Sequence, residues 1–280
     1  MPFVTKKPSH YLSALEEEST EPLHIGLFLA GSSDEKRTDE FRTLGRAIRQ
    51  SSRSIRCLWL RFKDGDDSLL EAFAIFGQEL IGTKGILSLV FEGKAGTAQV
   101  QCLSDYLTNQ SCDLRGIQFR RTDVDPSTFT MLRTFFTHTK SLKVVDMSQN
   151  PGVGDECIET LLDSLQDEGG CCLETLNLGE NNLDGPPDES RRISDDAVAF
   201  IAKFVSNSEL HTTHGISLGH IPSMLFNLLQ LTLNNNIYHL FHFHSPNSLK
   251  YHLTPSTFRR HRARGDSSCC QKGGLQLAET

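Results

Sequence analysis

"LETLNLGENNL", residues 173–183, places leucine first, fourth, sixth and eleventh and asparagine ninth. Alternation over Leu173–Leu178 fits a strand with one buried face. Asn181, at the ninth place, fits a turn where its side chain bonds otherwise unpaired backbone groups. A strand and turn this short cannot bury an apolar face alone, so the question is whether the stretch recurs.

It recurs five times upstream. The template L-x-x-L-x-L-x-x-N fits from Leu142 (LKVVDMSQN), Leu114 (LRGIQFRRT), Ile86 (ILSLVFEGK), Ile55 (IRCLWLRFK) and, more loosely, His24 (HIGLFLAGS). The starts at 24, 55, 86, 114, 142 and 173 are separated by 31, 31, 28, 28 and 31 residues. Chance supplies single matches to a leucine pattern, but not six at nearly constant spacing. The ninth place reads Ser32, Lys63, Lys94, Thr122, Asn150 and Asn181, so the N-terminal units are the less regular ones.

The second half of each interval has helical spacing. The stripes are Phe41, Leu44 and Ile48; Leu69, Phe73, Phe76 and Leu80; Val100, Leu103 and Leu107; Phe129, Leu132 and Phe136; Ile158, Leu161, Leu162 and Leu165; and Val198, Ile201, Ala202 and Val205. Each marks one apolar face. Start signals precede several of them: Asp67-Ser68, Asp125 before Pro126, Asp155, and Ser194-Asp195. Gly169-Gly170 follows the fifth helix as a stop. Each unit therefore reads as strand, turn and helix, and stacked units bury a shared core.

These units resemble leucine-rich repeats, specifically the long-repeat type of ribonuclease-inhibitor-like proteins. The resemblance covers residues 22–222 and is best in the two central units. It implies an α/β solenoid: a curved array of strand-turn-helix units with parallel strands on its concave face. Residues 1–21 are expected to form an N-terminal capping or flexible segment. A polar, proline-rich loop insertion at about 184–192 delays the next unit, which is expected to start near Thr213 with Ile216 and Leu218 inward. From about residue 223 the period is lost. Residues 223–280, His-rich and then basic, are expected to be an irregular and largely disordered tail.

Charge narrows the partners. The 280-residue chain has a formal net charge of −7. Residues 223–280 carry six basic and two acidic side chains, a net of +4, which leaves −11 on residues 1–222. This balance argues against a dedicated nucleic-acid binder. No run of the sequence approaches the roughly 20 apolar residues of a membrane span, and the N-terminus has no signal-peptide core. The eight cysteines form no CxxC pair and no disulfide framework. Reduced thiols and a cytoplasmic or nuclear location are expected.

Candidate chemistry is sparse. His239, His242, His244 and His252 lack ligand partners at metal spacing, so no metal is expected. The cluster Arg259, Arg260, Arg262 and Arg264 reads as a solvated charge run. The adhesion tripeptide Arg264-Gly265-Asp266 is discounted. The adjacent pairs Cys171-Cys172 and Cys269-Cys270 read as small hydrophobes. No phosphate loop, GxSxG or HExxH motif is present, so no enzyme active site, cofactor or small-molecule substrate is expected.

The working surface is expected on the strands. Place five of the template reads Phe28, Trp59, Val90, Gln118, Asp146 and Asn177, and place seven includes Arg61, Glu92 and Arg120. These point away from the core, and aromatic and arginine side chains are enriched in binding hot spots. Trp59, the sole tryptophan, is expected to be exposed between inward Leu58 and Leu60, or covered by Tyr11, Leu12 and Leu15 of segment 9–18. The leading expectation is a non-enzymatic module binding a protein partner through Phe28, Trp59, Arg61, Glu92, Gln118, Arg120, Asp146 and Asn177. Two alternatives stand beside it: a regulator or activator of a small GTPase, by fold analogy alone, and nucleic-acid contact through the basic tail.

Overall fold

The computed structural model describes residues 5–17, 19–30, 34–63, 69–109, 112–166, 173–178, 181, 194–207, 215–217 and 241–242. The insertion at 184–192 and nearly all of 208–280, with the arginine cluster and the cysteine pairs, lie outside them. So do Asp67-Ser68 and Gly169-Gly170.

Strand and helix alternate along the described chain. The strands are β1 (Leu23–Leu29), β2 (Ile55–Phe62), β3 (Ser88–Gly93), β4 (Gly116–Arg120), β5 (Val144–Asp146), β6 (Thr175–Asn177), β7 (Gly215–Ser217) and β8 (Phe241–His242). The helices are α1 (Ser9–Glu16), α2 (Glu35–Gln50), α3 (Leu70–Leu80), α4 (Thr97–Gln101), α5 (Ser104–Thr108), α6 (Pro126–His138), α7 (Asp155–Gln166) and α8 (Asp195–Asn207). The strands make one open sheet in the order β1 to β8, every neighbouring pair parallel. A parallel strand cannot pair within its own unit and needs a crossover, which the helices supply.

One apolar core joins sheet and helices. Places four and six of the template fill it: Leu58 and Leu60, Leu89 and Phe91, Ile117 and Phe119, Val145 and Met147, and Leu176 and Leu178 are all buried. Phe91 and Phe119 stack at 5.1 Å between ring centroids, one ring per unit. The helical stripes of α2 to α7, with Ile201 of α8, bury the opposite side of the same core. Neighbouring helices approach closely where side chains vanish. A Cβ on Gly77 of α3 would stand 1.8 Å from the Cys102 carbonyl oxygen. That contact falls at the interruption between α4 and α5, where the stripe of Val100, Leu103 and Leu107 predicted a single helix.

Helix starts are stitched across units. Asp125 caps α6 by accepting from the Thr128 amide (3.0 Å), with Pro126 in the first turn, and also accepts from the Thr97 hydroxyl of the preceding unit (3.1 Å). Asp155 accepts from the Ser194 amide (2.8 Å) before α8. Partial burial raises the Asp125 pKa, but bonds from Ser127, Thr128 and Thr97 outweigh this and hold it below the ordinary carboxylate value.

Register sets the repeat boundaries. Leu58 pairs with Leu89, Ile117 with Val145, and Leu176 with Ile216, as the template aligns them; the last pair places the seventh unit at Thr213. The first unit differs. Ile25 pairs with Leu58 and Leu27 with Leu60, so this unit starts at residue 22 and not at His24. Leu23, Ile25, Leu27 and Leu29 alternate throughout, so a two-residue slip leaves every side chain on its own face and hydrophobicity cannot choose between the settings. The observed setting puts Gly26, which has no side chain, beside Trp59. The sheet also extends past residue 222. Phe241 pairs with Ile216 to form β8, inside the segment where the hydrophobic period is lost.

The turns after the strands close in two ways. In the central units the ninth-place asparagine does the work. Asn150, fully buried, shares its two Nδ2 protons among the carbonyls of Phe119 (2.8 Å), Met147 (2.7 Å) and Ser148 (3.0 Å). Its Oδ1 accepts from the amide and hydroxyl of Thr122 (2.7 Å each), and its own amide donates to Asn181 Oδ1 (2.9 Å). In the N-terminal units the lysines at place nine are exposed. There the Lys63 amide continues the ladder to Leu29 O of the preceding unit (3.0 Å), and the Ala95 amide closes a tight turn on Gly93 O (2.7 Å). Place eight is left-handed in three consecutive units, at Gly93 (φ 81°), Arg121 (φ 53°) and Gln149 (φ 64°).

One template position should therefore carry opposite costs. Asn150→Ala strands the carbonyls of Phe119, Met147 and Ser148 and the Thr122 donors, and is expected to destabilise the fold by about 3 kcal/mol or more. Lys94→Ala should stay within about 0.5 kcal/mol. Urea unfolding of both variants measures the difference.

Candidate functional site

The helices cover one side of the sheet, and the other side carries rows of side chains, one per strand. Corrected for the first unit, one row reads Gly26, Trp59, Val90, Gln118, Asp146 and Asn177. The next reads Phe28, Arg61, Glu92 and Arg120. Phe28 thus stands beside Arg61, at place seven, and not in the Trp59 row.

The rows differ in what they present. Phe28 is 46% exposed, the one large hydrophobic residue exposed among those described. Arg61 and Arg120 are exposed, Glu92 is partly so, and Trp59, Gln118 and Asn177 are half-buried. Trp59, expected to be exposed or covered by Tyr11, Leu12 and Leu15, is half-buried. Its flanking Leu58 and Leu60 are wholly buried as expected. Segment 9–16 does not lie flat over the row. It forms α1, which packs on α2 and buries Tyr11 and Leu15 in the core. The Tyr11 hydroxyl donates to Gly26 O (2.9 Å) and accepts from Gly26 N (3.0 Å), at the edge of β1 away from β2.

Two ion pairs cross the face. Arg61 Nε lies 3.9 Å from Glu92 Oε1, and Arg120 Nη2 lies 3.6 Å from Asp146 Oδ2. Exposed pairs at such distances add little stability and stay available to a competing ligand. Asp146 is more committed. It is 8% exposed and accepts from the amide (3.0 Å) and hydroxyl (2.6 Å) of Ser148, so its carboxylate mainly shapes the turn after β5. Val90 is buried in the same row.

A groove of about 720 Å³ opens at the strands' C-terminal ends, where Phe28, Arg61, Lys63, Lys94 and Arg121 converge with Glu92. The sequence marks Phe28, Arg61 and Glu92 but not Lys63 and Lys94, because place nine reads there as turn chemistry, nor Arg121 at place eight. The available signal was the lysine at that place in two consecutive units. Arg121 Nε donates to Gln149 Oε1 (3.1 Å), tying two left-handed turns together.

Nucleophilic chemistry has little support in this surface. Cys57, at place three of β2, is 8% exposed; burial pushes its thiol up to about 11, and the positive charge of Arg120 offsets this only slightly. Cys102 and Cys157 are pushed up to about 11 by the same cause, and all four described cysteines are free thiols. Among the described residues, no three His, Cys, Asp or Glu side chains gather as a metal site. No helix among them is long and apolar enough to cross a membrane.

A raised thiol pKa leaves the neutral form dominant, with roughly one Cys57 in a thousand ionised at pH 8. Alkylation of Cys57 by iodoacetamide is therefore expected to keep accelerating past pH 10 in the native chain, as followed by peptide mass mapping. A plateau near pH 9 would show an ordinary exposed thiol.

Comparison with known proteins adds one likeness. The NACHT, LRR and PYD domains-containing protein 3 of Rattus norvegicus is 31% identical over 88 residues, which is 31% of this chain and 8% of that protein. The chain thus aligns with a small part of that much longer relative. No family model matches the chain. What the chain shares with that relative is a stretch of sequence; what it shows by itself is one open, parallel α/β sheet built from units of near-constant length, a form compatible with a repeat solenoid.

Proposed function

We propose that this chain is a leucine-rich-repeat array of the long, ribonuclease-inhibitor-like type, and that it binds a protein partner through the helix-free face of its sheet without chemistry of its own. One observation carries the reading. Parallel pairing repeats the outward positions at about 5 Å per unit, so exposed Phe28, Arg61 and Arg120 and half-buried Trp59 and Gln118 fall in continuous rows. Aromatic and arginine side chains in such rows suit a protein interface, where a few anchors carry most of the affinity. The partial likeness to a protein whose name includes leucine-rich repeats supports the same reading. Among the described residues the Cys57, Cys102 and Cys157 thiols are held protonated, and Arg61 and Arg120 pair with Glu92 and Asp146 across strands. In this reading the protein works in the cytoplasm and needs no cofactor.

The test is affinity capture from a lysate of the source organism, comparing wild type with a Trp59→Asp/Gln118→Arg double variant. Both must first show the same circular dichroism and melting. The expected result is a protein retained by wild type and depleted at least about tenfold with the variant, the scale of losing one hot spot. Identical captured sets would remove the face from consideration.

A further inference from the structure

Among the described residues, the groove at the strand ends carries more positive charge than its carboxylates pair. Arg61, Lys63, Lys94 and Arg121 line it against two carboxylates, Glu92 and Asp123. Among the described residues neither lysine has an ion pair, and Arg61 reaches Glu92 only at 3.9 Å. This stands out in a chain whose residues 1–222 carry a net charge of −11. The cations recur along the stack: Lys63 and Lys94 at place nine of consecutive units, then Arg121 at place eight of the next. At the N-terminal end of the line, exposed Phe28 sits in register with Arg61.

We propose that this groove holds an extended acidic peptide segment of a partner, with one aromatic or aliphatic side chain seated on Phe28 and its carboxylates on Lys63, Lys94 and Arg121. This rests on the protein-binding reading above and names the chemistry of the partner. The spacing suits it. Neighbouring strands step by about 5 Å, while same-side residues of an extended peptide recur every ~6.6 Å, a mismatch that long lysine stems absorb. Charge complementarity of this kind speeds encounter and rejects basic partners. Glu92 and Asp123 decide between anionic ligands. They repel a continuous phosphate backbone, but they can accept the N–H groups of a peptide whose charges lie only on its side chains.

The experiment selects random dodecapeptides displayed on phage against the full-length chain. It then measures synthetic copies by fluorescence anisotropy at 50 and 300 mM NaCl, with labelled oligouridylate as a second probe. The expected peptides carry three or more Asp or Glu and one aromatic or aliphatic residue. Their affinity should fall at least tenfold with Lys63→Glu/Lys94→Glu and several-fold at the higher salt. Phe28→Ser should weaken binding while leaving the salt dependence intact. Neutral or basic selected peptides, no selected peptides, binding indifferent to the charge reversal, or tighter binding of oligouridylate would each overturn the proposal. Both lysines are exposed surface side chains, so the reversal should fold normally, and its melting curve checks this. Loss of lysate capture with Trp59→Asp/Gln118→Arg, together with groove-independent peptide binding, removes the groove and keeps the face. The reverse pattern removes the face and keeps the groove.

Discussion

The amide side chain of Asn150 is the constraint on which the central units depend. A parallel strand that stops after three residues leaves backbone donors and acceptors facing a dry turn. Unpaired groups there would cost more than the small unit gains by burying its leucines. Asn150 offers both polarities at once. Its protons go to three carbonyls, one of them Phe119 O of the unit before, and its oxygen takes both donors of Thr122. Because it spans two units, the side chain fixes the distance between them as well as the turn. Asn181 repeats the arrangement one step on, accepting from the Asn150 amide.

Where the asparagine is missing, the solution changes and so does the surface. Gly93 adopts a left-handed conformation so close to β2 that a Cβ would stand 2.1 Å from Phe62 O. The backbone closes the turn unaided, which frees place nine to carry a residue of any kind. Lys63 and Lys94 occupy that freedom. The same position is thus a buried structural amide in two units, at Asn150 and Asn181, and an exposed cation in two others. Irregularity in the N-terminal units is where the proposed binding chemistry gathers.

Much of the fold is legible in the residues. Inward places four and six and the helical stripes mark the core, and Asp125 with Pro126 marks the start of α6, because burial and capping are set locally. Three features escape for physical reasons. Uninterrupted alternation in β1 has no phase mark at two-residue spacing, so the first unit slips. The stripe in 97–108 records which side chains are buried but not that Cys102 must turn its carbonyl toward Gly77. β8 shows no helical stripe after it, and its place in the sheet comes from pairing with Ile216, a non-local contact. The candidate surface is only partly legible. Template parity identifies which side chains leave the core, yet it says nothing of how they bond to one another. Asp146 reads only as an outward residue and is occupied by Ser148 and Arg120, while Trp59, which reads as either exposed or covered, is half-buried.

The Tyr11 hydroxyl has a further consequence at the end of the stack. β1 is an edge strand, and an edge strand offers unpaired backbone groups that template the addition of another chain. Tyr11 occupies both polar groups of Gly26, and the Lys6 amide donates to the same carbonyl at 2.9 Å. One phenol therefore acts as a chain terminator in the polymer chemist's sense. With the Lys6 amide, it closes the Gly26 position of this edge to pairing with another strand.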